Sequence, residues 1–552
     1  MLRLFNDHNI RKEIKINPIW NFYADGFEEI TQMPVPSCWE AHPRLASYRG
    51  KAVYEQRVSF GGNARLVFKG VSHTASVWFD DVFLGSHYGA YGEFSYVLKN
   101  VVVGQHTIRL EADNSFSEKS ALHIPNDYYS YGGITRPVVL EQMGEAYIKR
   151  MHFTPFFKEG KWNAKISILI ENVTDLEKLL NVDIGLDNKN ILSIEAVQLH
   201  GNSNLLIEKE FAFKDVKEYN ILNPKLYFLS AVVYENGKAI DDLIDRVGFR
   251  EIKINGRDIV FNGEKLKLKG FNRHEDYAEL GCAVPLQIMY RDMELIKSTG
   301  ANCVRTSHYP NDDRWLDLCD ENGVLVWEEA HARSLTEEQM KNKYFDEQSN
   351  LCISEMIGSH YNHPSIFVWG LLNECASFSD YGRKCYIRQI DYIKSLDSSR
   401  PVTSASCYFG SDKCLDLVDI VSFNIYPNWY FDEPTFEHLS RLKEWISTTS
   451  GAGKPLIISE IGAGAIYGFR SANNAKWTEE LQESILREQL SAVLSDNDCS
   501  GVFIWQFSDC RVDNESFYAR PKSQNNKGIL DIYRREKLAF KAVCDIFKSK
   551  DI

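Results

Sequence analysis

Several features are missing from this sequence, and each absence excludes something. None of the 12 cysteines forms a CxxC pair, and eleven of them lie beyond Gly281, scattered rather than clustered. That spacing argues against a zinc knuckle and against a small secreted disulfide scaffold, and it fits free thiols in a reducing compartment. No stretch approaches 18 uncharged apolar residues, so no membrane-spanning helix is expected. The first twenty residues, MLRLFNDHNIRKEIKINPIW, contain no apolar signal core, and the expected location is cytoplasmic. Positive charge is short as well. With 63 Lys and Arg against 76 Asp and Glu, the net charge is -13, which argues against nucleic acid as a main partner. No Pro/Ser-rich linker interrupts the chain, so its domains are expected to pack directly on one another.

What is present describes a globular protein of more than one domain. A chain of 552 residues exceeds a single hydrophobic core, and its 44% hydrophobic and 12% aromatic content is that of a folded protein. Residues 1–146 read as short alternating strands, such as "KAVYEQRVSF", "ARLVFKGV" and "HTIRLEADN", punctuated by Gly, Asn and Asp turns. Residues 147–250 continue in β grammar, with "WNAKISILIENV" and "KLYFLSAVVYENGKAIDD", over the length of one immunoglobulin-like sandwich.

From residue 251 to 552 the pattern changes. Short apolar runs alternate with amphipathic helical segments, which indicates a parallel sheet buried on both faces. The strand candidates are "KLKGFNRHE", "CVRTSH", "VLVWEEA", "FVWGLLNE", "PVTSAS", "VSFNIYP", "PLIISEIGA" and "GVFIWQFSD". Eight such units predict a (β/α)8 barrel. The chain ends soon after the eighth, so no further C-terminal domain is expected.

In such a barrel the active site lies at the C-terminal ends of the strands. Here those ends are polar: Arg273, His274, Glu275 and Asp276 after the first, Ser307 and His308 after the second, and Glu328 and Glu329 on the third. Asn373 and Glu374 follow the fourth, Asn424 and Tyr426 the sixth, Glu460 the seventh, and Trp505 and Asp509 the eighth. Glu374 and Glu460 come from non-adjacent strands and face each other across the mouth. Two carboxyl groups flanking one bond are what glycoside hydrolysis needs, one to protonate the leaving oxygen and one to attack the sugar carbon or activate water. Tyr426, Trp429, Tyr430 and Trp505 offer flat surfaces for sugar faces. Each residue has a plainer reading: a strand-end glutamate is often a salt-bridge partner, and rim aromatics are often packing. A metal-dependent hydrolase using His274, His308 and His331 is a rival, although these histidines lack ligand spacing. A non-catalytic carbohydrate-binding protein is another.

The motifs "GFNRHED", "VRTSHYPND", "HPSIFVWGLLNE" and "PLIISEIGAG" resemble glycoside hydrolase family 2, as do "YRGKAVYEQRV", "VSHTASVWFDD" and "NDYYSYGGITRPV" in the N-terminal part. The resemblance spans the whole chain and implies a jelly-roll domain, an immunoglobulin-like domain and a TIM barrel, in that order. It is nearest to the family's β-glucuronidase branch. It implies Glu374 as acid/base, Glu460 as nucleophile, retention of configuration, Asn373 on the sugar 2-hydroxyl, no cofactor and a homo-oligomer. It further implies sugar contacts by His274, Asn424 and Tyr426, and a contribution of Asp127 from the first domain. In "PKSQNNKGILD", Asn525 and Lys527 match a pair that reads a sugar carboxylate, with Arg520 assisting; an ammonium is the charge-assisted donor a desolvated carboxylate needs. On composition alone "QNNKG" is also a surface turn. The expected activity is exo-acting β-D-glucuronide hydrolysis, with β-galactosides and β-galacturonides as alternatives. Pro427 interrupts the family's aromatic run after strand six. The stretch from Ala330 to Asn362 is short, which implies a mouth without a long lid, open to bulky leaving groups.

Overall fold

The computed structural model describes residues 2–513 and 520–549. Its first region is a single antiparallel sheet folded over on itself. The long strands Lys51–Phe68 and Phe94–Asp113 pair along most of their length. Their register slips on both sides of Gly62, which sits at φ +93°, a conformation that favours glycine. Such an irregularity bends a strand. Residues before it pair with Ile19–Ala24 and residues after it with Val138–Gln142. Both halves therefore feed one core, which includes Trp20, Tyr54, Leu66, Leu110 and Leu140.

Seven further strands form a sandwich. A three-stranded sheet (Ala146–Lys158, Lys161–Asn172, Asn204–Phe213) faces a four-stranded one (Lys178–Leu186, Lys189–Leu199, Tyr227–Glu235, Lys238–Val247). In Lys161–Asn172 every second side chain is buried, from Trp162 to Ile170, which is the period-2 pattern of a strand with one face in a core.

The third region is a closed parallel barrel. Its strands are β1 (Leu268–Arg273), β2 (Cys303–Thr306), β3 (Leu325–Glu329), β4 (Ile366–Gly370), β5 (Val402–Ser406), β6 (Ile420–Asn424), β7 (Leu456–Ile461) and β8 (Cys499–Ile504). Five lie inside the segments expected from sequence, and β4, β6 and β8 begin one or two residues earlier, at Ile366, Ile420 and Cys499. The intervening helices include α1 (Leu286–Thr299), α2 (Asp313–Asn322), α3 (Phe345–His360), α4 (Asp380–Leu396), α5 (Thr435–Ser447) and α6 (Glu479–Ser495). Their ends carry local signals: Ser379 caps α4 and Thr478 caps α6 through their hydroxyls, while Gly300 and Gly323 end α1 and α2 in the left-handed conformation.

Strand alternation sorts the side chains. On β1, Leu268 points into the barrel floor and Phe271 outward to the helices; on β3, Leu325 and Trp327 point in and Val326 out. The floor is apolar, made of Leu268, Leu325, Phe367, Ile457 and Phe503. It is sealed from below by Ile252, Ile259 and Phe261 of a small antiparallel sheet. The same alternation carried upward puts Asn272, Arg305 and Glu329 inside the mouth, while Glu328 turns outward to His360 Nδ1 at 2.8 Å.

The first sandwich leans over this mouth. Arg136 donates to Glu275 at 2.8 Å and Tyr131 Oη to Asp276 at 3.1 Å, joining its loop to the end of β1. That junction is what brings Asp127 to the barrel. The stretch from Ala330 to Asn362 holds a four-residue helix (Glu337–Met340) and α3.

Candidate active site

A cavity of about 530 Å³ opens at the C-terminal ends of the barrel strands. Of the residues singled out from sequence, Asp127, Glu374, Asn424, Tyr426, Tyr430, Glu460, Trp505, Arg520 and Lys527 line it. They come from two regions of the molecule and from loops more than a hundred residues apart.

Glu374 follows β4 at φ +51°, and Leu372 two residues earlier has φ +49°. Two non-glycine residues in the left-handed region so close together are a costly turn, of the kind held in place at functional sites. The turn is pinned by the Glu374 amide, which donates to the Ala405 carbonyl at 2.8 Å. Its carboxylate accepts from Asn424 Nδ2 at 2.9 Å and Ser334 Oγ at 3.2 Å, with the Arg333 guanidinium 3.7 Å away.

Glu460, on β7, is held differently. Tyr426 Oη donates to one oxygen at 2.5 Å and Arg305 Nη1 to the other at 3.1 Å. Burial and then the Glu374 charge push its pKa up to about 8, against the pull of Arg305 and Tyr426. The Glu374 charge is thus the second of the two causes that raise Glu460, and interacting carboxyls titrate as a pair.

Arg305 organises the floor of the mouth. Fully buried, it donates to Glu329 at 2.8 and 3.0 Å, to Asn272 at 3.0 Å and to Asn373 Oδ1 at 2.7 Å, besides Glu460. With its oxygen engaged, Asn373 is left with a buried Nδ2 that has no partner in the protein. His274 is in the same position: Nδ1 bonds Tyr309 Oη at 3.1 Å and Nε2 is buried and unpaired. Burial drives its pKa down to about 3, so the ring is neutral. His308 stacks on Trp505 at 5.0 Å, bonds Glu329 through Nδ1 at 2.8 Å, and also leaves Nε2 unpaired. Buried polar atoms are normally satisfied, so three such orphans are unusual, but none of Asn373, His274 and His308 is among the residues that line the cavity.

Basic side chains supply the remaining wall. Lys527 lies over the Tyr426 and Tyr430 rings, 4.8 Å from each centroid, and donates to Tyr430 Oη at 2.5 Å. Burial lowers its pKa. Arg520 and Arg333 each approach the Asp127 carboxylate at 3.1 Å. Burial pushes Asp127 up, but Arg333, Arg520 and Lys527 outweigh it and hold the carboxyl below its usual range.

The remaining residues read from sequence fall out as follows. Asn525 is buried and gives its amide to Asp127 at 3.1 Å; it supports the wall instead of lining the cavity. The "QNNKG" stretch is thus no exposed turn. Trp429 packs on Trp477 at 5.1 Å, behind the rim. His331 bonds Tyr128 at 3.0 Å, so His274, His308 and His331 are each tied to a separate partner. Among the described residues, the one group of ligating side chains within reach of a common ion is Asp317, Asp320 and His363, where Arg3 and Arg246 already pair with Asp317. Sequence reading overlooked Arg305, Arg333, Phe409, Phe431 and His438. Arg305 carried a signal: a charged residue at an inward position of the short strand "CVRTSH". Arg333, Phe409 and Phe431 lie on loops, where no periodicity marks direction, and His438 lies in the first turn of α5.

The model of the glycosyl hydrolases family 2 TIM barrel domain matches residues 252–537, more than half of the chain. The protein belongs to glycosyl hydrolase family 2. It is thereby a glycoside hydrolase. Among curated relatives, a β-glucuronidase of Paenibacillus borealis is 28% identical over 92% of both chains. A solved family 2 β-galacturonidase of Eisenbergiella tayi, bound to galacturonate, is 50% identical over 99% of both chains, with a TM-score of 0.95. The β-D-glucuronidase of Dictyoglomus thermophilum shares the fold at a TM-score of 0.87 with 24% identity. No helix among the described residues is long and apolar enough to cross a membrane.

Proposed function

We propose that this family 2 hydrolase is a retaining, exo-acting β-hexuronidase, releasing a terminal uronic acid from β-linked substrates. The observation that carries this reading is the convergence of Arg333, Arg520 and Lys527 on the cavity that holds both glutamates. Asp127 and the ionised nucleophile offset two of these three charges, so an anionic sugar completes the balance; a neutral hexose does not. Buried Trp505 closes the inner end, which suits a single terminal sugar.

Glu460 is the nucleophile. Arg305 and Tyr426 bond its ionised form and aim it, and its attack on the anomeric carbon forms the glycosyl–enzyme ester. Glu374 is the acid/base: it gives a proton to the departing glycosidic oxygen and then takes one from the water that cleaves the ester. Asn373 and His274, although outside the cavity lining, keep the family's sugar-contacting roles in this reading, with Nδ2 and Nε2 as the atoms left without a protein partner.

Between epimers, the reading favours β-D-galacturonides, because the relative that is 50% identical over nearly the full chain is a β-galacturonidase. β-D-Glucuronides are the second reading, supported by the β-glucuronidases at 28% identity and below. Turnover of p-nitrophenyl β-D-galacturonide, β-D-glucuronide and β-D-galactoside by wild type and Lys527→Ala tests both. A charge-assisted hydrogen bond is worth about 1.5–3 kcal/mol. Both uronides should therefore exceed the galactoside by more than tenfold in kcat/KM, galacturonide first, and Lys527→Ala should narrow the gap. A leading galactoside overturns the uronide reading and leaves the hydrolase.

A further inference from the structure

We infer that the cavity contains a second, aromatic subsite that receives the leaving group, and that this group is an apolar or aryl aglycone in preference to a second uronic acid. The inference rests on the β-hexuronidase reading and names what is attached to the sugar.

The cations and the phenylalanines of the lining come from different loops, with Lys527 meeting the Tyr430 ring where they join. The loops after β3 and β8 contribute Arg333, Arg520 and Lys527. The loops after β5 and β6 and the first turns of α5 contribute Phe409, Phe431 and His438. These three rings form one surface: Phe431 stacks on His438 at 5.1 Å, and Phe409 meets the other side of the group at 5.6 Å. Phe431 is 40% exposed, and neighbouring Tyr430 is 58% exposed at the rim. An aromatic ring left in water at a cavity mouth favours another flat apolar face.

This surface lies on the side of the acid. Glu374 is pinned to β5 through Ala405, and Tyr408, which precedes Phe409, donates from Oη to the Glu374 carbonyl at 3.4 Å. The leaving oxygen takes its proton from Glu374, so its substituent exits over the β5–β6 sector. The charges of that sector are already matched: Glu433 accepts from His438 at 2.9 Å and pairs with Arg441 at 2.5 Å. A second uronate carboxylate would find its nearby cations committed to Glu433, whereas an aryl ring would find three aromatic faces.

Inhibition constants of hydrolysis-resistant 1-thio-β-D-galacturonides test this without involving the chemical step. Three aglycones are compared: methyl, phenyl, and a β-linked second galacturonate. An aromatic pair is worth about 0.5–1.5 kcal/mol, roughly two- to twelvefold in binding. With two rings available, the phenyl compound should bind wild type about tenfold more tightly than the methyl one, and more tightly than the disaccharide. Phe431→Ala, at an exposed position that folding does not depend on, and Phe409→Leu should each reduce the phenyl-to-methyl ratio by about threefold while leaving the methyl constant unchanged. Equal phenyl and methyl constants in wild type, tightest binding of the disaccharide, or a ratio unmoved in both variants overturns the subsite. If the methyl galacturonide fails to bind and methyl 1-thio-β-D-galactoside binds instead, the uronide reading fails; the phenyl-to-methyl ratio of the galactosides then judges the subsite separately.

Discussion

The two ends of the same eight strands are built on opposite terms. At the floor, Leu268, Leu325, Phe367, Ile457 and Phe503 pack against a small sheet that shuts out water. At the mouth, the upper parts of those strands carry Asn272, Arg305, Glu329 and Glu460, buried and charged or polar. The floor stabilises the barrel through apolar burial at roughly 25 cal/mol per Å². The mouth costs stability, since each buried charge must be compensated and several polar atoms are left unpaired. A barrel can carry this because the two ends share strands whose backbone hydrogen bonding does not depend on either set of side chains. Stability is supplied at one end and committed to chemistry at the other.

Substitutions at the two ends should therefore separate activity from stability. The largest effect belongs to Glu460→Gln, which should lower kcat/KM by about four orders of magnitude or more while the protein stays folded, judged by circular dichroism and thermal melting. An active variant would mean that the nucleophile lies elsewhere. Arg305→Ala falls between the two classes. It strands Glu329 in a dry site, so a stability loss of about 3–5 kcal/mol is expected in urea denaturation, together with a fall in kcat. Stability lost without kcat would reduce Arg305 to a structural residue. Phe503→Ala, at the floor against Trp327, should cost about 3–5 kcal/mol and leave kcat per folded molecule unchanged at 25 °C. A kcat effect there would break the division between the ends.

The smallest predicted effect sharpens the reading of the mouth itself. Glu460 is raised by burial and by the Glu374 charge. Wild type needs Glu460 ionised and the partner protonated, so its pH–rate profile should be bell-shaped. Glu374→Gln removes one of the two raising causes. Glu460 then ionises at lower pH, so the acidic limb should move down and the alkaline limb should flatten. The check is kcat/KM for a p-nitrophenyl uronide, whose activated leaving group needs little acid assistance. An acidic limb that stays in place would mean the two carboxyls do not interact.

Much of this was legible because barrel grammar is local. A short apolar run that ends in polar residues, repeated between helices, puts Glu374, Asn424, Tyr426, Glu460 and Trp505 at the mouth without any knowledge of contacts. Arg305 was readable by the same rule, since an arginine at an inward position of a four-residue strand cannot reach solvent sideways. Arg333, Phe409 and Phe431 were not readable, because a loop carries no period from which direction follows. Asn525 shows the limit differently: its position in a motif implied contact with the sugar, yet in the fold its amide is occupied by Asp127.

By itself, the sequence determined the three successive architectures, the eight strands and the two carboxylic acids at their ends. These follow from residue periodicity, which acts over five to fifteen positions. Only the tertiary structure decided the character of the pocket: Asp127 from the first sandwich beside Arg333, Arg520 and Asn525, and the meeting of cations from the loops after β3 and β8 with aromatic rings from the loops after β5 and β6. Those relations join residues up to 398 positions apart, held by charge pairing and ring packing across loops, and such forces depend on distance in space, which no local pattern encodes.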